Sequence, residues 1–103
     1  MFNPKTYTES FEREQGFTTA DWLQVLPGAV GAHVLTLDAD GLGASVAIGG
    51  GRLQMRWQVL PVRAIAMMRM PRLAVQFRFS PMPDAVRAEF MRYFDLYTQR
   101  GGG

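Results

Sequence analysis

Residues 52–59 read Arg-Leu-Gln-Met-Arg-Trp-Gln-Val, and residues 72–79 read Arg-Leu-Ala-Val-Gln-Phe-Arg-Phe. An apolar residue at every second position is the period of a strand and not of a helix. In each run one pleated face carries Leu53, Met55, Trp57 and Val59, or Leu73, Val75, Phe77 and Phe79. The opposite face carries Arg52, Arg56, Arg72 and Arg78. A chain with two such runs is committed to a sheet with one greasy side and one arginine side, and the greasy side must be covered.

The cover lies downstream. Ser80, Pro81, Met82 and Pro83 lead into a helix that runs to about Arg100, with Asp84 placed to favour the helix dipole. Val86, Phe90, Tyr93, Phe94 and Tyr97 form its apolar stripe, and Arg87, Glu89, Arg92 and Asp95 face outward. A shorter helix begins at Thr18 or Thr19 as N-cap, turns Trp22, Val25 and Leu26 inward, and ends at Pro27-Gly28. Three further strands complete the reading. Residues 32–37 and 44–48 flank a turn at Asp38-Ala39-Asp40-Gly41. Residues 62–69 form a strand set off by Leu60-Pro61 before it and Met70-Pro71 after it. The expected fold is therefore α+β and two-layered: a short N-terminal helix, an antiparallel β-meander of about five strands, and a long C-terminal amphipathic helix packed on one sheet face.

With 103 residues, 48% of them hydrophobic, the chain is one domain's worth and large enough to bury a core unaided. The expected organisation is a single domain over 1–103. Residues 1–17 form a weakly ordered or peripheral arm pinned by Phe11 and Phe17, and 101–103 are a frayed tail. The absence of cysteine excludes disulfides and thiolate chemistry. No stretch reaches the ~20 apolar residues of a membrane span, and the opening segment lacks an apolar signal core. The expectation is a cytoplasmic protein with no membrane partner.

Candidate chemistry is thin. His33 is the sole histidine; with Asp38 and Asp40 it makes the one metal-like cluster, but strand-and-turn spacing does not make the three converge. Ser10, Ser45 and Ser80 lack the glycines of a nucleophile elbow. Gly41-Leu42-Gly43 precedes a strand where a phosphate-binding glycine loop needs a helix. The expectation is a non-enzyme with no catalytic residue, no metal and no cofactor.

What remains is charge placement. Residues 41–83 hold six arginines and no acid, whereas residues 1–40 hold six acids against Lys5 and Arg13. Arginine suits bidentate capture of carboxylate and phosphate. Arg52, Arg56, Arg72 and Arg78 are accordingly the candidate anion- or partner-binding residues; the side taken by Arg63 and Arg69 stays open. The partner expected is an acidic protein, a small anion or a second copy of the chain. Nucleic acid ranks lower, because Trp57, Phe77 and Phe79 fall on the opposite face from the arginines and cannot stack bases beside them. Two alternatives stand beside this reading: a solvated basic face on a structural domain, with some heads paired to Glu89, Asp95 or the acidic arm, and an apolar ligand cavity lined by Trp57, Phe77, Phe90 and Tyr93. Arg52-Leu-Gln-Met-Arg56, with a Phe-ending strand and a closing helix over 72–94, also resembles PilZ domains. These bind a cyclic dinucleotide through R-x-x-x-R and a later [DN]-x-S-x-x-G. The resemblance implies a nucleotide-type anion site at Arg52 and Arg56, but the second element is missing after Arg56.

Overall fold

The computed structural model describes residues 7–100. The expected frayed tail at 101–103 and the first six positions of the expected arm lie outside the described residues. Five strands, β1 (Ser10–Gln15), β2 (Leu35–Leu37), β3 (Gly43–Ile48), β4 (Gly51–Ile65) and β5 (Met68–Phe79), form one antiparallel sheet in the order β1-β5-β4-β3-β2. Helices α1 (Thr19–Ala29) and α2 (Asp84–Arg100) complete an α+β fold.

The strand count agrees with the sequence, but the strands are cut differently. Residues 10–15, expected within a peripheral arm, are an edge strand paired with β5 from Ser10↔Arg78 to Gln15↔Leu73. Phe11 fixes this register by stacking on Phe77 at 4.9 Å. Residues 62–69 are not a separate strand. Leu60-Pro61 and Met70-Pro71 do not turn the chain; β4 and β5 run on through both prolines and reverse only at Ala66-Met67. The ladder steps from Leu60↔Arg72 to Arg63↔Met70, so Pro61 and Val62 stand opposite Pro71 alone. This is a bulge where both prolines, which have no N–H to give, escape ladder duty. Between β3 and β4 the reversal uses Gly49-Gly50, with Gly49 at φ 57° as a tight hairpin requires.

Helix α1 starts where expected: the Thr18 hydroxyl accepts the Asp21 N–H at 3.1 Å. It does not stop at Pro27. Proline so near the C-terminal end forfeits one hydrogen bond, and the helix carries on to Ala29 before Gly31 at φ 63° ends it. Both helices lie on the same sheet face. Trp22 meets Trp57 and Phe94 edge-on at 6.0 Å, and Phe94 meets Phe77 at 5.7 Å. These side chains, with Leu26, Leu53, Met55, Leu73, Val75 and Met91, make the buried core.

Helix α2 is rotated from its expected setting. Val86, Tyr93 and Tyr97 are exposed, while Arg87 and Asp95, expected in water, are 5% and 3% exposed. The tyrosines are drawn sideways onto α1, where Gly28 leaves the space that a Cβ would take from the Tyr97 ring. The buried charges are held from the N-terminal side. The Asp95 carboxylate accepts from the Tyr7 hydroxyl at 2.6 Å and from Arg13 Nη1 at 2.8 Å. Arg87 donates through Nε to the Tyr7 carbonyl at 2.7 Å and through Nη2 to Asp84 at 2.6 Å. Asp95, expected to pair with an arginine of the basic sheet face, pairs instead with Arg13 of β1, whose guanidinium also lies over the Phe11 and Phe77 rings.

Burial, then the Asp95 hydrogen bond, pushes the Tyr7 pKa well above its ordinary value of 10.0. A phenol raised in the folded state contributes stability that is complete below the unfolded pKa and lost as pH rises beyond it. Unfolding measured by denaturant across pH should therefore show stability falling above about pH 10. Tyr7→Phe should lack that alkaline fall and lose about 1.5–3 kcal/mol at neutral pH, the value of a hydrogen bond to a charged group. Matching alkaline profiles in the two proteins would refute the buried phenol.

Candidate functional site

The strand register puts all four candidate arginines on the sheet face away from the helices. It also separates them. Arg78 stands opposite Gln54 on one side and Ser10 on the other, Arg56 opposite Gln76, Arg72 opposite Leu60, and Arg52 opposite Ala47. No arginine directly faces another, so the like-charge cost that a packed arginine face implies does not arise.

Two of the four are neutralised internally. Arg56 is clasped by the β2–β3 turn, with Nη1 2.9 Å from Asp38 Oδ2 and Nη2 3.0 Å from Asp40 Oδ2. The turn is shaped for this. Gly41, at φ 73°, closes it by donating to the Asp38 carbonyl, and Leu42 N–H caps Asp40 Oδ1 at 2.9 Å. The guanidinium and the Leu42 N–H hold the exposed Asp40 carboxyl below its usual pKa range, and the two aspartates raise Arg56 in turn. Gln54 joins the clasp from β4, donating to Asp38 at 3.3 Å while accepting from Ser45 at 2.6 Å. Arg72 is half-buried, with Nε on the Pro61 carbonyl at 2.9 Å and Nη1 on Glu14 at 3.2 Å. Arg52 and Arg78 are exposed and have no ion pair among the described residues.

Register also settles the two arginines whose side the sequence left open. Opposed residues of an antiparallel ladder share a face. Arg63 (opposite Met70) reaches the same Glu14 as Arg72 and so lies on the outer face, at 3.4 Å from Oε1. Arg69 (opposite Ala64) is one rung further out and on the other face.

These two residues belong to the longest exposed run among the described residues. Strand β1 ends its pairing at Leu73 and β3 begins its pairing at Arg56, so beyond residue 59 strands β4 and β5 have only each other. Residues 59–72 form a two-stranded arm, and every residue from 61 to 70 is exposed. Its side chains are largely apolar: Val62, Ile65, Met68 and Met70 are all exposed, and Met67 at the turn is 98% exposed. The turn residue Ala66 sits at φ 54°, a region that glycine favours. A lone ribbon of this kind has little stability of its own in water. Reading Leu60-Pro61 and Met70-Pro71 as the ends of strands concealed the arm; the paired prolines at 61 and 71 were its signal.

Of the residues named for the alternative of an apolar ligand cavity, Trp57 and Phe77 are buried in ring contacts. Phe90 and Tyr93 instead line an open cleft of about 390 Å³ beside Val30, His33 and Ile48. His33 packs edge-on against Phe90 at 5.5 Å, while Asp38 and Asp40 are occupied with Arg56; among the described residues no three His, Asp or Glu side chains gather as metal ligands would. Comparison with protein-family models, curated proteins and solved structures returns no match.

The clasp makes a stability prediction. A Cβ on Gly43 would overlap Asp38 Oδ2 and come 2.7 Å from both Arg56 Cδ and the Met55 carbonyl, which is fixed in the ladder. Gly43→Ala should cost about 1–3 kcal/mol through overpacking. Arg56→Ala removes only an exposed pair and should shift the denaturant midpoint less. The reverse order would show that the turn does not close tightly on β4.

Proposed function

We propose that this chain is a non-catalytic binding module that engages an anionic partner surface through the β4–β5 arm and the arginines around it. The observation that carries this reading is the exposure of the whole arm from residue 61 to 70 with its apolar side chains in water. Contiguous exposed apolar surface of this kind marks a contact site, and the arm bears Arg63, Arg69 and Arg72 with no acid of its own. Among the described residues, Glu14 alone is shared between Arg63 and Arg72, and Arg69 has no ion pair. The free Arg52 and Arg78 extend the same sign of charge over the open sheet face.

This shifts the weight of the candidate site. Of the arginines named from sequence, Arg52 and Arg78 are available to an anion, Arg72 stands at the root of the arm, and Arg56 is committed to Asp38 and Asp40. An arm-to-arm homodimer is less well supported, because stacking two arms brings together arginines that one Glu14 per chain already has to share.

Retention on immobilised poly-glutamate and on anionic vesicles tests the reading. The parent should bind at least one, and Met67→Asp with Arg69→Glu should lose that binding while keeping the parent's circular dichroism and melting temperature. Retention of the folded double variant equal to the parent's, or binding of the parent to neither surface, would rule the reading out.

A further inference from the structure

The arm's geometry points to an anionic lipid surface as the partner, and we propose that residues 64–69 insert into the headgroup boundary of a bilayer; this rests on the binding-module reading above. Three observations single out lipid from the anionic surfaces that reading allows. First, the tip is apolar at its end and on one face. Ile65 and Met68 share that face, Ala66-Met67 form the turn, and the opposite face carries Ala64 beside Arg69. Ile65, Met67 and Met68 thus lie beyond the arginine rungs, the order in which a bilayer surface would meet them. Second, Arg63 and Arg69 stand on adjacent rungs and opposite faces. That arrangement puts a guanidinium on each side of the ribbon, at a similar height, where lipid phosphates would meet them. Third, the scale fits. The turn lies two to three positions beyond those rungs, which at ~3.3 Å each is about 7–10 Å, the depth to which interfacial elements sink into the headgroup and acyl boundary.

The bulge at Pro61, Val62 and Pro71 sets this tip apart from the rigid sheet, and no acidic residue lies anywhere in 41–83 to oppose the approach. The expectation of no membrane partner rested on the missing span. No described helix is long and apolar enough to cross a bilayer, and insertion of a hairpin tip requires none.

Co-sedimentation with phosphatidylcholine vesicles, alone and with phosphatidylserine added, is the test, with poly-glutamate in parallel. The parent should sediment with the mixed vesicles and stay in solution with phosphatidylcholine alone, and binding should weaken as salt is raised. Arg63→Glu with Arg69→Glu should reduce it about tenfold or more, and Met67→Asp should reduce it at unchanged charge on the arginines. Met67→Trp should shift its added emission to the blue on mixed vesicles only; because Trp22 and Trp57 also emit, the signal is read as the difference from the parent. Binding to poly-glutamate without binding to mixed vesicles would overturn the lipid assignment and leave the module reading intact. Vesicle binding indifferent to Met67→Asp would overturn insertion of the tip.

Discussion

Everything in this fold follows from covering one face of a twisted sheet with two helices. The apolar phase of β3, β4 and β5 presents Val46, Leu53, Met55, Trp57, Val75 and Phe77, all buried beneath α1 and α2. Trp22 from α1 and Phe94 from α2 meet over Trp57 and Phe77 and close the layer. Neither flanking strand pairs past the Val59–Leu73 rung, yet β4 and β5 keep pairing for several more rungs. The same hairpin is therefore the centre of the core at one end and an uncovered ribbon at the other. Its apolar side chains change meaning along a single strand: Leu53 is stabilised by burial, and Ile65 is held in water.

The second constraint is the polar lock at the far edge. Strand β1 brings Arg13 to the inner face, and Tyr7 precedes it, so that Asp95 and Arg87 of α2 can be buried with partners in place. A carboxylate at 3% exposure is tolerable only when its charge is paired and hydrogen-bonded. The lock ties α2 to β1 and to Tyr7 ahead of it. Glu14, on the opposite face of the same strand, serves Arg63 and Arg72.

Much of this was legible in the residues. The alternation at 52–59 and 72–79 specifies which side chains are buried, and Trp57, Phe77 and Phe79 lie opposite the arginines as the phase requires. Thr18 and Asp21 mark the start of α1. What the pattern hides has physical causes. Proline was read as an end of pairing, but a bulge admits Pro61 and Pro71 into one continuous hairpin, and that misreading concealed the arm. Periodicity assigns Arg87 and Asp95 to water because it registers polarity and cannot register a partner some eighty residues away. The candidate arginines do share a face, but the Asp38-Ala39-Asp40-Gly41 turn that looked like simple punctuation removes Arg56 from the available set.

One hairpin thus joins a half stabilised within the sheet to a half of marginal stability, exposed from residue 61 to 70. Amide hydrogen exchange, resolved by residue, measures this directly, since protection reports local opening. In the free protein, amides at 53–58 and 73–78 should be strongly protected and those at 62–69 should exchange fast, with mixed phosphatidylserine vesicles slowing the second group alone. Equal protection along the full length of β4 and β5, unchanged by vesicles, would contradict the account.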